Sequence, residues 1–134
     1  MKLISLRWCS LLLLALLLGG CAANSNREEL FDSQTRAYGS TIRWGNYDVA
    51  NAFRKQAEDT TRKQLAGLKK FHVTSYEVVG AHPSDDGNTM LLTVSIKYYR
   101  DDSMVERTLT DQQRWHYDAK DKRWLLLGPL PAFQ

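Results

Sequence analysis

The residues whose types and spacing invite chemistry are Arg107, Asp111 and Gln113, in one stretch near the C-terminal end. Side chains of a strand alternate between its faces, so these three share a side with Val105, Leu109, Trp115 and Tyr117, which carry the parity of a buried face. A guanidinium, a carboxylate and an amide on the inner side of a sheet form a candidate pocket. An Asp111 stripped of water beside Arg107 can act as general base or ligand clamp. The stretch is about fourteen residues long, more than twice the usual strand, and a bulge within it would reverse the parity and turn all three outward. Both arrangements stay open on the sequence. Tyr38, Trp44 and Tyr98 either wall such a pocket or belong to the core.

Other chemistries lack their parts. His72, His82 and His116 have no ligand-like spacing and no cysteine partner, so no metal site is assigned. No G-x-S-x-G elbow and no phosphate-cradling glycine loop is present. Asp85-Asp86-Gly87 lacks the remaining ligands of a calcium loop and reads as a turn. No catalytic residue and no cofactor is assigned, and the reading leans away from an enzyme.

The elements that must position these residues follow from periodicity. From Arg27, the positions Leu30, Gln34, Ala37, Thr41 and Trp44 recur at helical spacing, with Phe31, Tyr38 and Ile42 beside them, and Asn26 is placed to cap. Gly45 punctuates. Asn46 starts a second helix with an apolar stripe of Tyr47, Ala50, Phe53 and Ala57, and residues 60–70 read as a third helix with Leu65 and Leu68 inward. Arg62, Lys63, Lys69 and Lys70 lie on its other side, a solvated face or a contact for anionic headgroups.

The period then changes to two. Residues 73–80 read as a strand, Asp85-Asp86-Gly87-Asn88 as a hairpin, and residues 89–100 as a strand with Met90, Leu92, Val94, Ile96 and Tyr98 on one face. Residues 104–117 and 123–127 read as two more strands, and Leu130 and Phe133 fold back as apolar plugs. The class is α+β, with N-terminal helices on one face of an antiparallel sheet of four or more strands.

The N-terminal stretch carries an address. Lys2 and Arg7 precede a run that is apolar from Trp8 to Leu18 except for Ser10, then Gly19, Gly20 and Cys21, the order of a secretory signal peptide. About eleven apolar residues make a helix of roughly 16 Å, short for a hydrocarbon core of about 30 Å. Leu18-Gly19-Gly20-Cys21 resembles the lipobox of bacterial lipoproteins. That resemblance implies a leader at 1–20, acylation of Cys21 by palmitate-type chains, a tether at 21–26 and a domain at 27–134. Ala22 after the cysteine, by analogy, favours the periplasmic face of the outer membrane, with the inner membrane as the alternative. The loss of Lys2 and Arg7 takes 18 basic residues to 16 against 15 acidic ones, net +1. Such a balance gives no electrostatic footprint for nucleic acid. Cys9 leaves with the leader and Cys21 takes lipid, so a disulfide within the mature chain is not expected.

The order of elements, with Trp44-Gly45-Asn46-Tyr47, Ala50 and Phe53, then Tyr76-Glu77-Val78-Val79 and Val94-Ser95-Ile96-Lys97-Tyr98-Tyr99, resembles the NTF2-like (cystatin-like) α+β cone, closed by Gln113-Arg114-Trp115 and Lys122-Arg123-Trp124. The resemblance implies helices in the hollow of a curved sheet. It does not fix a function, because one fold serves many. The expectation is a lipid-anchored, non-catalytic domain that binds a protein partner or a small apolar ligand at the envelope. The alternatives are an enzyme acting on a small periplasmic substrate and a structural subunit of an envelope machine.

Overall fold

The structure is a computed structural model that describes residues 25–134. The leader, Cys21 and most of the tether lie outside the described residues. The chain divides into two compact units, residues 1–33 and 34–134. Helix α1 covers 25–43, so Ser25 and Asn26 are helical, where a tether and a cap were expected.

Within the second unit, α1 buries Tyr38 and Ile42 completely, whereas Ala37 is exposed and Trp44 is 77% exposed. The helix is thus rotated by about one residue from the expected stripe. Tyr38 and Ile42, one turn apart, remove far more apolar surface from water than Ala37 and Thr41 would, at about 25 cal/mol per Å². The helix ends in a paired stop. The amide of Asn46 donates to the Thr41 carbonyl at 2.8 Å and that of Gly45 to the Ile42 carbonyl at 3.2 Å, with Gly45 left-handed at φ 68°. Only a residue without Cβ adopts this cheaply, and the stop fixes Trp44 at the helix end, outside the core.

Helix α2 is short, Tyr47–Asn51, because the chain leaves the helix to dock against the sheet. Phe53 and Ala57 are therefore not part of one helical stripe. A 3₁₀ turn at Ala57–Asp59 follows, then α3, Arg62–Leu68. Thr61 and Gln64 close the start of α3 reciprocally, side chain to backbone in both directions. Arg62, Lys63, Lys69 and Lys70 are exposed.

Four strands follow, β1 (Phe71–Pro83), β2 (Thr89–Arg100), β3 (Arg107–Asp118) and β4 (Arg123–Leu127), in one open antiparallel sheet of order β1-β2-β3-β4. Asp86 organises the β1–β2 hairpin by accepting from the amides of Asn88 and Thr89, each at 2.9 Å. The β2–β3 register runs unbroken from Thr89↔His116 to Tyr98↔Arg107. Irregularities fall in β1 instead, at Val73/Ser75 and Val78/Gly80. Val105 lies before β3 and is exposed, contrary to its expected inward position.

The helix-facing side of the sheet carries Leu92, Val94, Ile96, Tyr98, Trp115 and Leu126 into the core. Tyr38 meets Trp115 edge-on at 5.3 Å and Phe53 at 5.8 Å. Leu130 is buried, and Phe133 stacks on Phe71 at 5.3 Å, so the tail folds back as expected.

Candidate binding groove and the polar cluster beneath it

The unbroken β2–β3 register sets Asp111 opposite Val94 and Gln113 opposite Leu92, so both point to the helix-facing side. Gln113 is buried and fully used. Its Nε2 donates to Asp111 Oδ2 at 2.7 Å and to the Tyr76 hydroxyl at 3.0 Å, while its Oε1 accepts from Trp115 Nε1 at 3.0 Å. Burial pushes the Asp111 carboxyl above its usual range, opposed by the Gln113 bond. Burial likewise pushes the Tyr76 hydroxyl up to about 12.

Arg107 does not join them. It is exposed at the far end of β3, about 13 Å along the strand from Asp111, and donates to the carbonyl of Gln134 at 3.2 Å. The expected Arg107–Asp111 clamp is absent because four residues of extended chain exceed the reach of a contact.

Tyr38 sits beside this cluster with its ring 6.5 Å from that of Tyr76. Its hydroxyl is buried and has no hydrogen-bond partner among the described residues. Burial, followed by the nearby Tyr76 and Asp111, pushes its pKa well above the ordinary value. A buried hydroxyl without a partner costs about 1–3 kcal/mol.

Tyr76 also faces outward. Its ring floors an open groove of about 530 Å³ between one flank of α1 and β1, lined by Arg36, Gly39, Arg43 and Trp44 on the helix and by Thr74, Ser75 and Val78 on the strand. Gly39 is required there, because a Cβ on it would stand 2.7 Å from the Tyr76 ring. Arg43 is held by its bond to the Val73 carbonyl and lies 5.1 Å over the Trp44 ring. A second groove of about 430 Å³ continues past Arg43 and Trp44 toward Lys69, Phe71 and Tyr99. Sequence reasoning missed these grooves. The one signal was Trp44 next to the helix-stopping Gly45, a large aromatic with no helical turn after it to cover it.

Tyr98, the remaining aromatic of the expected wall, is buried against Phe71 and Phe133, while Trp44 lines the two outer grooves. Among the described residues no cluster of three metal-ligating side chains occurs, and no helix is long and apolar enough to cross a membrane. Compared with protein-family models, with curated proteins and with solved structures, the chain matches none.

Proposed function

We propose that the chain is a lipid-anchored binding domain of the bacterial envelope, tethered through Cys21 to the periplasmic face of the outer membrane, that receives a protein partner in the α1–β1 groove. The observation that carries the binding role is Trp44. An aromatic 77% exposed, stacked on an arginine and shared by two adjoining grooves, is what partner-binding surfaces concentrate. Helices on one face of an antiparallel sheet agree with an NTF2-like cone, and the hydroxyl-rich, cationic lining suits a protein better than a small apolar ligand. The address rests on the lipobox-like leader, where two or three acyl chains would hold the protein stably.

The test pairs the native chain with Cys21→Ser and Trp44→Ala. Acylated mass and outer-membrane fractionation are expected for the native chain and lost in Cys21→Ser. A stoichiometric partner is expected to co-purify from solubilised membranes and to be lost in Trp44→Ala. A soluble, unacylated native protein would remove the address, and a partner indifferent to Trp44 would remove the groove.

A second reading is an enzyme with Asp111 as base, favoured by its raised pKa beside the unpartnered Tyr38 hydroxyl. Turnover of a small substrate by the purified chain, abolished in Asp111→Asn, would establish it over the binding role.

A further inference from the structure

The two edges of the sheet are treated differently, and the difference points to what the groove receives. At β4 the backbone of residues 53–55 runs alongside. The Leu126 amide donates to the Phe53 carbonyl and the Lys55 amide to the Leu126 carbonyl, both at 2.9 Å, with a parallel bridge between Arg54 and Leu126. At β1, side chains of the helical layer close only the beginning. Tyr47 donates to the Phe71 carbonyl and Arg43 to the Val73 carbonyl. From Ser75 to Pro83, no strand and no side chain among the described residues takes up the backbone groups on the side away from β2.

The irregularities at Val73/Ser75 and Val78/Gly80 leave two regular windows on that half of the edge, Gly80–Pro83 at its end and Ser75–Val78 opposite the helix flank. Bulges of this kind prevent indefinite edge-to-edge pairing. The Ser75–Val78 window is also the strand wall of the 530 Å³ groove. A helix flank facing an open strand edge is the geometry in which an extended peptide adds as an extra strand, its backbone paired to the edge and alternate side chains in the groove.

Charge selects the occupant. The lining of this groove carries Arg36 and Arg43 and no carboxylate, and Lys69 lies on the continuing groove. Arg36 makes no ion pair with any described residue. At the rim, the Glu106 carboxylate accepts from Thr74 Oγ1 at 3.0 Å. Arg43 is already positioned by Val73 and Trp44, so its charge is presented without further ordering.

We infer that the α1–β1 groove binds an extended acidic segment of a partner protein, which pairs with the backbone of Ser75–Val78 as a fifth strand and sets its carboxylates against Arg36 and Arg43 and an apolar side chain against Trp44. The inference rests on the binding role proposed above and specifies the chemistry of that partner.

The test pans a random dodecapeptide display library against the immobilised, detergent-solubilised full chain. Enriched peptides should alternate Asp or Glu with apolar residues. Their affinity should fall with added salt and drop at least tenfold in Arg36→Glu and in Trp44→Ala, with unchanged circular dichroism confirming that both variants are folded. Hydrogen exchange should show new protection at Ser75–Val78, and a version of the best peptide with alternate backbone amides N-methylated should lose binding. No enrichment, peptides without acidic bias, equal binding to Arg36→Glu, or equal binding after N-methylation would each overturn the inference. Equal competition by an anionic oligosaccharide such as heparin would overturn it in favour of a glycan. If a Trp44-dependent partner still co-purifies from membranes while acidic peptides fail, the binding role survives and only this chemistry is lost.

Discussion

The β4 edge and the β1 edge belong to one sheet but are finished by opposite means. Beside β4, a backbone segment is locked in place by Arg54, whose Nε donates to the Gly128 carbonyl at 2.6 Å and whose Nη1 donates to Asn51 Oδ1 at 2.9 Å and to Thr60 Oγ1. Beside Thr74–Val78 of β1 there is a groove, an exposed tryptophan and two arginines. The closed edge holds a buried cation whose Nε and Nη1 donate to oxygen dipoles, and the open edge holds Arg36 and Arg43, neither of them in an ion pair with a described residue. Under the proposed binding role, stability is concentrated at one side of the sheet and recognition at the other, the division expected when a binding surface is drawn from the less stable part of a fold.

The largest effects that would break this comparison lie on the closed side. Arg54→Ala removes three hydrogen bonds, one buried and two partly buried, and should cost about 3–5 kcal/mol in urea unfolding, as loss of a buried charged group's contacts does. A cost under about 1 kcal/mol would show that the 53–55 segment is held without it. Trp115→Ala should cost about 3–5 kcal/mol as well, whereas Trp44→Ala should stay within about 0.5 kcal/mol. Similar costs for the two tryptophans would erase the contrast.

Smaller changes sharpen it from within. Tyr38→Phe deletes the hydroxyl that lacks a partner and should raise stability by about 1 kcal/mol, read as a higher urea midpoint at unchanged slope. A loss instead would mean that the hydroxyl is satisfied in solution. Asp111→Asn should have the smallest effect, and one that depends on pH. The folded-state pKa of Asp111 is raised, so its ionised form is penalised in the fold. The penalty is absent below the ordinary carboxyl range near 3.9, develops as pH rises toward the folded value and is constant above it. Asn keeps an acceptor for Gln113. The variant should therefore be slightly more stable than the native chain at pH 7, with the advantage fading toward pH 3. Thermal melts at both values decide it, and an advantage that grows in acid would reverse the sign.

Much of the sheet was legible because β2 and β3 obey strict alternation. Once β3 begins at Arg107 without a bulge, Asp111 and Gln113 must share the side of Leu109 and Trp115. Arg107 obeys the same parity but lies at the end of the strand, and parity carries no information about position along it. The extent of α2 was not legible, since Phe53 and Ala57 keep helical spacing while the backbone between them is taken by a long-range pairing with Leu126. The groove was hidden for a similar reason. Its walls come from residues 36–44 and 74–78, brought together only by the fold, and the gap between them depends on a glycine that has no side chain to reveal it.

The two irregularities in β1 give that strand a grammar of its own. Its helix-facing positions are Phe71 and Val73, then Tyr76 and Val78, then Ala81 and Pro83, each pair five residues after the last. Five residues here do the work of four in β2, with Thr74 and Val79 as the surplus members. Removing either one would leave every other side chain of β1 on its present face. A single deletion inside β2 or β3, where no spare residue exists, would turn half the strand inside out. The strand that borders the groove is thus the one whose length can change without inverting the core, and the spacing of the groove's strand wall can vary while the sheet behind it stays in register.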